Sequence, residues 1–471
     1  MKFTLGEIAT LLDSGCGFPE RRVTGYSLDS RSIGPGQLFF AMRGPRFDGH
    51  RFLAEVMECK AAGAVVEQVY FGQAPPDLKP ALIPVESPLQ ALQHLGRAVR
   101  RIWAGPLVAV TGSTGKSTTK EMIADLLGRR FVVHKSAGNL NNHYGLPLTL
   151  LGLEPEHEIG VVELAMSAAG EIAHLASMAE PGTGVVTNVA PVHLEFFDSV
   201  ESIAKAKREL IENLSSREGS PTAVLNSDDP RVLGFAEGFE GRVVTFGTGS
   251  GADFRALWVK PGVGIGTAFR VMGPNLDCDF LLPIPGRHNV QNALAAIAVA
   301  SGFDVPAADM RRALAEFESM LQRGEVLTLP GSVTVINDSY NSNPQAMECM
   351  LETLRAWPGA RRRIVVAGEM LELGAQSQEL HEKVGCKCAE ADLGWLIGVQ
   401  GDARFILEGA VAAGMSATQT RFFREASPAG EFCLSQLEPG DVVLVKGSRG
   451  VHLETVVEML RNWRGVERSR S

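Results

Sequence analysis

The sequence predicts an α/β protein of three domains, on three observations. The chain has 471 residues, and a domain typically has about 150. Short apolar strands alternate with helical patterns, which predicts parallel sheets covered by helices. A glycine-rich turn stands between one such strand and the next helix, where α/β proteins bind ligands.

The first domain is expected over residues 1–104. A strand is predicted over Gln37 to Met42, and a helix from about Arg51 to Ala62. Gly63 is the expected helix cap, and a second strand follows over Ala64 to Val66. These elements form a small α/β unit.

The second domain is expected over residues 105–320. It begins with a strand over Leu107 to Val110, the glycine-rich turn, and a helix with one apolar face. Predicted elements that follow are strands at 159–164, 184–187, 222–226 and 242–247, a strand-rich insertion over 253–283, and a helix through Ala293 to Ala300.

The third domain is expected over residues 321–471. Its predicted strands lie near 333–337, 363–367, 395–399 and 441–446, separated by helical patterns. Parallel strands gather ligands at their carboxyl ends, so polar residues directly after these strands are candidates for binding.

Composition excludes several classes of protein. Hydrophobic residues are 45% and charged residues 21% of the chain, which is typical of a folded protein. The net charge of -9 argues against a nucleic-acid partner, because such proteins need surplus cations. Seven cysteines without a C-x-x-C pair indicate free thiols in a reducing compartment. Neither a signal peptide nor a membrane span is predicted, so we expect a cytoplasmic protein.

The strongest chemical signal is Thr111-Gly112-Ser113-Thr114-Gly115-Lys116-Ser117-Thr118. A glycine loop between a strand and a helix lets backbone N–H groups wrap phosphates, while the helix N-terminus adds its dipole. Lys116 would reach the outer phosphates, and the Ser117 hydroxyl would bind Mg²⁺. Val110 stands where the full P-loop pattern has a further glycine. The motif predicts nucleotide binding through residues 111–118.

The same glycines are compatible with a second hypothesis, a dinucleotide-binding oxidoreductase. That fingerprint requires a third small residue where Lys116 to Thr118 stand, and an acidic residue at the end of a second strand about 20 residues on. Neither is present. The phosphate loop is therefore favoured.

Several other polar residues are compatible either with a binding role or with a purely structural one. Glu163, at the end of a predicted strand, and His193 are candidate metal ligands, although Mg²⁺ prefers oxygen and spacing alone favours a loop hydrogen bond for His193. Lys207 is equally compatible with a solvated helix face, and Asn289 with a helix cap. Asp338 to Pro344 and Lys446 to Gly450 follow strands, where either polar turns or ligand-binding loops would fit.

Taken together, these residues resemble the Mur ligase family, the ATP-dependent enzymes that form amide bonds in peptidoglycan precursors. The family's marks in this chain are the loop at 111–117, Asn141-Asn142 with Gly145 and Pro147, Glu163, His193, His288-Asn289 to Asn292, and Arg323. The resemblance covers nearly the whole chain. It implies a three-domain Mur ligase architecture with a central P-loop ATPase domain and a Rossmann-like C-terminal domain.

Within that family, four segments are similar to those of the enzyme that adds D-alanyl-D-alanine to UDP-N-acetylmuramoyl-tripeptide. They are Asp29-Ser30-Arg31 with Asp48-Gly49-His50, Asp338 to Pro344, Gly368 to Gly374, and Val445 to Gly450. Two departures are Glu369, where many relatives have Asp, and the form of Leu321-Gln322-Arg323-Gly324. The tetrapeptide Asp-Asn-Pro-Arg of the sibling that adds the third amino acid is absent.

The resemblance also implies roles near the phosphates. Lys116 and Arg323 would neutralise charge while ATP phosphorylates the tripeptide carboxylate and the dipeptide amine attacks the acyl phosphate. Ser117 would bind the first of two Mg²⁺ ions. The second would be bound by Glu163, His193 and a carbamylated Lys207.

Substrate contacts follow from the same resemblance. Asn289 and Asn292 would face adenine, Asp338 the ribose, and Ser30 with Arg31 the uridine nucleotide. The incoming dipeptide would be bound by Asn341, Lys446 and Arg449. We expect a monomer that inserts into no membrane.

Two other classes of function share part of these features. A sibling ligase, including the polyglutamylating folate enzymes, has the same central loop, although the segment from Asp29 to His50 disfavours the folate branch. A nucleotide-dependent switch or transport ATPase would have only the P-loop, without a requirement for His193 or Lys207.

Overall fold

In the computed structural model, residues 1–45, 47–192, 194–217, 219–261 and 266–463 are described, and they contain three β-sheets. Each sheet lies within one of the three expected domains, with four, nine and six strands in turn. Helices pack against all three sheets. The predicted α/β class is confirmed.

The first sheet is parallel throughout, and its strands follow one another in chain order. The elements here are α1 (Leu5–Leu11), β1 (Gly25–Ser27), β2 (Gln37–Phe40), α2 (Leu53–Glu58), β3 (Gly63–Glu67), α3 (Gln68–Gln73), β4 (Leu82–Val85) and α4 (Pro88–Trp103).

The region around Gly63 differs from the prediction. The helix expected from Arg51 is confined to α2, and a 3₁₀ turn precedes it. Gly63 is the first residue of β3, not a helix cap. A Cβ added at Gly63 would lie 2.4 Å from the carbonyl oxygen of Ala81, so the close approach of the chain before β4 requires a glycine.

The central sheet has the strand order β13-β12-β11-β10-β9-β8-β5-β7-β6, in which the β11–β12 and β12–β13 pairs are antiparallel and the other neighbouring pairs are parallel. Its elements are β5 (Leu107–Thr111), α5 (Lys116–Leu127), β6 (Val133–Lys135), α6 (Gly145–Leu151), β7 (Ile159–Glu163), α7 (Glu171–Ala179), β8 (Thr183–Val186), α8 (Val200–Glu212), β9 (Thr222–Asn226), α9 (Pro230–Leu233), β10 (Arg242–Gly247), β11 (Phe254–Pro261), β12 (Thr267–Gly273), β13 (Leu276–Leu282), α10 (Arg287–Gly302) and α11 (Ala307–Ala315).

Strand β5 shows why this sheet is buried on both faces. All five of its residues are buried, and successive side chains of a strand point to opposite faces. Leu107 and Ala109 belong to the apolar cluster that includes α7 and α8. Val108 and Val110 belong to the cluster that includes α5 and α10. The loop after β5 therefore starts from a rigid strand.

The third sheet has the order β14-β15-β19-β16-β17-β18, with β14 antiparallel and the other strands parallel. Its elements are β14 (Glu325–Leu329), β15 (Val333–Asp338), α12 (Pro344–Arg355), β16 (Arg362–Gly368), α13 (Ser377–Ala389), β17 (Trp395–Val399), α14 (Ala403–Ala412), β18 (Thr420–Phe423), α15 (Ala426–Gln436), β19 (Asp441–Lys446) and α16 (Glu454–Arg461).

A charge cluster joins α4 to the central part of the chain. The carboxylate of Glu180, which follows α7, accepts hydrogen bonds from Arg97, Arg101 and Arg217, with 2.6 Å to Nη2 of Arg101. Burial alone would raise the pKa of Glu180, but hydrogen bonds from Arg101 and Arg217 lower it to about 2. We call these four residues the Glu180 cluster. It ties the first part of the chain to the second.

Candidate active site

The loop between β5 and α5 depends on two glycines. Gly112 has φ of +150° and Gly115 has φ of +78°. A Cβ on Gly112 would lie 1.8 Å from Oγ1 of Thr187, and one on Gly115 would lie 2.4 Å from Oδ1 of Asn292. Neither position can accept a side chain, so the loop has the tight backbone that phosphate binding requires.

Residues after β8 hold this loop in place. The Ser113 N–H donates to the carbonyl of Asn188 at 2.9 Å, and the Thr114 N–H donates to Oδ1 of Asn188 at 2.9 Å. The Thr187 hydroxyl donates to the Thr114 carbonyl at 2.6 Å. Sequence reasoning missed Thr187 and Asn188, although both stand at the carboxyl end of a strand beside β5. The loop is thus preformed.

Lys116 is folded back over the loop. Its Nζ donates to the carbonyl of Gly112 at 2.8 Å and to that of Ser113 at 3.3 Å. Burial lowers the pKa of Lys116; Glu163 acts in the opposite direction, and Arg323 lowers the pKa further. The charge of Arg323 therefore acts on Lys116, which makes Arg323 a second cation in the electrostatic environment of the loop.

Glu163, at the end of β7, lies against the same loop. Its Oε2 accepts from the Ser117 hydroxyl at 2.7 Å, and its Oε1 accepts from Nδ2 of Asn141 at 2.8 Å. Glu163 is buried, with 2% of its surface exposed. A hydroxyl and a carboxylate oxygen in contact are ligands suited to Mg²⁺, so these residues fit a magnesium ion.

The second expected metal site is described only in part. His193 lies outside the described residues. Among the residues that are described, no group of three or more His, Cys, Asp or Glu side chains is placed to hold a metal ion. Of the three expected ligands, the structure therefore positions Glu163 and Lys207.

Lys207, on α8, is buried, with 2% of its surface exposed. This excludes the solvated helix face, a description that fits its exposed neighbour Lys205. Burial lowers the pKa of Lys207 well below its ordinary value, and the charge of Lys116 lowers it further. Within the described part of the chain, no carboxylate forms an ion pair with Lys207.

The asparagines of α10 brace the loop from the other side. Gly286, not Asn289, is the N-cap of α10, and Nδ2 of Asn289 donates to the Pro285 carbonyl at 2.8 Å. Oδ1 of Asn292 accepts from the Thr119 hydroxyl at 3.2 Å. Both asparagines are buried next to the P-loop helix. Their predicted contact with adenine stays a prediction.

Asp338 and Lys446 end two adjacent strands, β15 and β19, which pair in register. Nζ of Lys446 donates to Oδ2 of Asp338 at 2.6 Å and to the Asn341 carbonyl at 2.9 Å. Lys446, which is itself buried, therefore already has a carboxylate partner. His288 is nearby, and burial lowers its pKa to about 4, although Asp338 acts in the opposite direction.

Two arginines flank the ring of Tyr340. The guanidinium carbon of Arg323 lies 4.0 Å from the ring centroid, and that of Arg449 lies 5.4 Å from it. Arg449 is exposed and, unlike Lys446, has no carboxylate partner among the described residues. Of the two cations expected to bind the dipeptide carboxylate, Arg449 is the better placed.

The departure at Glu369 is accommodated locally. Its Oε1 accepts from the Asp402 N–H at 3.0 Å, over a turn at Gly401. A Cβ on Gly401 would lie 2.1 Å from that carboxylate, so the glycine provides the room that the longer side chain needs.

Residues expected to contact the uridine nucleotide lie on the first sheet's carboxyl edge. Arg31 donates two hydrogen bonds to Asp29, at 2.9 and 2.7 Å, and these lower the pKa of Asp29 to about 2. Ser30, between them, is partly exposed. The pair is solvent-accessible and separate from the P-loop.

No helix in the described part of the chain is long and apolar enough to cross a membrane.

Comparisons with known proteins agree along the whole chain. Family models match for the Mur ligase family, catalytic domain, over residues 22–100, for the Mur ligase middle domain over 110–300, and for the Mur ligase, glutamate ligase domain, over 322–449. The chain is 32% identical over 463 residues to a UDP-N-acetylmuramoyl-tripeptide–D-alanyl-D-alanine ligase of Bacillus subtilis (strain 168), covering 98% of each chain.

Solved structures show the same likeness. MurF from Acinetobacter baumannii has a TM-score of 0.87 at 28% identity, over 98% of this chain and 99% of that one. MurF ligase from Thermotoga maritima, in complex with ADP, has a TM-score of 0.80 at 29% identity, over 93% of this chain and 97% of that one.

Proposed function

The chain belongs to the Mur ligase family, and we propose that it joins D-alanyl-D-alanine to UDP-N-acetylmuramoyl-tripeptide in a reaction driven by ATP. The product is the UDP-N-acetylmuramoyl-pentapeptide precursor of peptidoglycan. The observation that carries this proposal is the placement of Lys116 and the Ser117–Glu163 pair at a preformed glycine loop, with the charge of Arg323 acting on Lys116. Relatives matched over nearly the whole chain support the choice of substrates.

The reaction has two balanced steps. A carboxylate oxygen of the tripeptide attacks the γ-phosphorus of ATP, and ADP leaves with its electron pair. The dipeptide amine then attacks the carbonyl carbon of the acyl phosphate, loses a proton, and inorganic phosphate leaves. Both steps bring anions together, so stabilisation of negative charge is the main requirement on the protein.

Lys116 and Arg323 meet that requirement. Lys116 is held by two loop carbonyls, which a phosphate oxygen would replace at little cost in reorganisation. Arg323 approaches from the third part of the chain, so closure of that part onto the P-loop would complete the site and exclude water.

Ser117 and Glu163 would hold one Mg²⁺ ion, and Glu163 with His193 and Lys207 a second. Bound Mg²⁺ neutralises phosphate charge and orients the phosphates for in-line transfer. The Glu163 carboxylate stays positioned through its bonds to Ser117 and Asn141.

We further propose that Lys207 is carbamylated in the active enzyme. Carbamylation joins the neutral amine to CO₂ and releases one proton, giving an anionic carbamate. The lowered pKa of Lys207 supplies the neutral amine. A carbamate would also give Lys116 the anionic neighbour that an ammonium at position 207 cannot provide.

The remaining contacts are proposals for binding. Asn289 and Asn292 face adenine, Asp338 the ribose, and Ser30 with Arg31 the uridine nucleotide. The dipeptide is held by Asn341 and Arg449, while Lys446 fixes Asp338 through their 2.6 Å ion pair.

The expected boundaries near residues 104 and 320 are supported by the three sheets, because no sheet crosses either boundary. None of the matched family ranges, 22–100, 110–300 and 322–449, crosses either boundary.

We place the reaction in the cytoplasm, which holds ATP and in which seven free thiols are stable.

Incubation of the purified enzyme with ATP, Mg²⁺ and UDP-N-acetylmuramoyl-tripeptide tests this function by mass spectrometry. Pentapeptide is expected only when D-alanyl-D-alanine is present. Equal product from lysine or glutamate would assign the chain to a sibling ligase, and ATP hydrolysis independent of both substrates would indicate a nucleotide switch.

A further inference from the structure

Tyr340 is the one aromatic side chain in contact with both arginines of the described site. The Arg323 guanidinium stacks on its ring at 4.0 Å, and the Arg449 guanidinium lies 5.4 Å from the same centroid. Nη1 of Arg449 also approaches the Tyr340 hydroxyl at 3.5 Å. A ring face carries negative charge, so it attracts both cations and holds them at a set spacing.

The backbone on either side of Tyr340 is fixed. Ahead of it, the Ser339 hydroxyl donates to Oδ1 of Asn337 at 2.7 Å. Behind it, the Asn341 carbonyl accepts from Nζ of Lys446 at 2.9 Å. The ring therefore projects from a rigid corner between β15 and α12, and it can serve as a fixed reference for its two partners.

The segment that carries Arg323 is fastened to the same corner. The Tyr340 N–H donates to the Gln322 carbonyl at 3.1 Å. Glu325, two residues after Arg323, accepts from Nδ2 of Asn337 at 2.7 Å and from Nη2 of Arg461 at 2.6 Å. Although Arg323 lies at the boundary between the second and third parts of the chain, these contacts make it move with the third.

We propose that Tyr340 is a positioning residue that clamps Arg323 to the third domain, so that closure of that domain brings the guanidinium to the P-loop. The same ring sets the distance from Arg323, which serves the phosphoryl group, to Arg449, which serves the dipeptide. One side chain thereby couples arrival of the amine donor to completion of the phosphate site. This inference rests on the proposed roles of Arg323 and Arg449.

Electrostatics agree with this placement. Arg323 is one of the charges that lower the pKa of Lys116, after the larger effect of burial. Two cations that approach each other repel, and a guanidinium free to rotate would move away into solvent. Stacking on Tyr340 opposes that movement.

Substitution of the ring tests the clamp. Tyr340→Leu should lower kcat about 5- to 10-fold, the loss expected from removal of one half-buried cation–π contact. Its KM for D-alanyl-D-alanine should rise, while its KM for UDP-N-acetylmuramoyl-tripeptide should not change. Tyr340→Phe keeps the ring and should retain kcat within about threefold. Phe405→Leu, which removes a different Arg–aromatic contact of the same domain (4.5 Å from Arg404), is the matched control and should behave as wild type.

A double variant separates positioning from general structural damage. If Tyr340 acts through Arg323, Tyr340→Leu should cause less than about a threefold further loss of kcat in an Arg323→Ala background. Fully multiplicative losses would overturn the clamp, as would equal losses in the Phe and Leu variants, or wild-type kcat in Tyr340→Leu. Full activity of Arg323→Ala alone would remove both the clamp and the role of Arg323, while ligation by the wild-type enzyme would still stand.

Discussion

Two charged clusters of the molecule, the Glu180 cluster and the Lys116–Lys207 pair, differ in how far water reaches their cations. At Glu180, three arginines that remain 44–51% exposed surround one carboxylate. At the P-loop, Lys207 is 2% exposed, and the charge of Lys116 contributes to the lowering of its pKa. Water can solvate the surplus cations of the first cluster but not those of the second. Under the roles proposed above, anions that bind at the P-loop compensate the charge of the second pair, whereas the Glu180 cluster serves stability alone.

The largest effect is expected at Lys116. Lys116→Ala should lower kcat by roughly three orders of magnitude, because its ammonium stabilises charge on the transferred phosphoryl group. The variant should stay folded and unfold near the wild-type temperature, since Lys116 is only partly buried and its two hydrogen bonds are to carbonyls of its own loop. Steady-state kinetics beside thermal melts checks both points, and near-normal turnover would refute the P-loop assignment.

Substitution of Lys207 should lower activity and raise stability. Lys207→Met should lose at least about 100-fold in kcat, yet be more stable than wild type at pH 7 in CO₂-free buffer without metal. Its pKa is lowered in the fold, so the unfolded chain binds the extra proton and wild-type stability rises with pH toward 10.5. The Met variant should lack that rise. Lys205→Met, an exposed position on the same helix, is the control and should change neither property.

The proposed carbamylation of Lys207 can be tested by the response of activity to added carboxylates. High bicarbonate should raise wild-type activity, and short carboxylic acids should partly rescue Lys207→Ala by replacing the anionic ligand. Full activity in a preparation whose intact mass shows only unmodified lysine would contradict the carbamate.

Arg449 should have an intermediate effect confined to one substrate. Arg449→Ala should raise the KM for D-alanyl-D-alanine about 10-fold or more, with the KM for ATP nearly unchanged, because the lost contact is to the dipeptide carboxylate. Initial-rate measurements with each substrate varied in turn decide this. A uniform rise in every KM would instead indicate a disturbed domain.

The Glu180 cluster should show the smallest effect on activity. Glu180→Gln should lower the free energy of unfolding by about 1–3 kcal/mol at pH 7, and leave kcat within about twofold. The pKa of Glu180 is lowered to about 2 from an ordinary 4.5, so its contribution is present above pH 4.5 and is lost as pH falls toward 2. Melts of wild type and variant should therefore converge at acid pH. Glu201→Gln, which breaks an exposed pair with Arg231, should change stability little at any pH.

The sequence predicted the parts of the fold and site that depend on local pattern. Apolar strands such as β5, β7 and β19 were predicted because buried parallel strands are continuous apolar runs, and the glycine loop because its residues are contiguous. Short strands with mixed composition, such as β1, β6 and β18, give no such signal and were missed.

Features that depend on chain topology could not be predicted. Lys446 pairs with Asp338, 108 residues away, only because β19 inserts beside β15. Burial of Lys207 depends on how α8 packs, which its mixed sequence does not reveal. The sequence gives no signal for Tyr340, because Arg323 and Arg449 lie beside its ring only in the folded chain.

The central claim is that the cations proposed to act at the P-loop, Lys116 and Arg323, stabilise an acyl phosphate formed from the tripeptide carboxylate. Isotope transfer tests it most directly: the tripeptide is labelled with ¹⁸O in that carboxylate and ligated with ATP and D-alanyl-D-alanine. One ¹⁸O atom should appear in inorganic phosphate for each amide bond formed, by mass spectrometry of the phosphate. Phosphate that carries no label while pentapeptide accumulates would contradict the account.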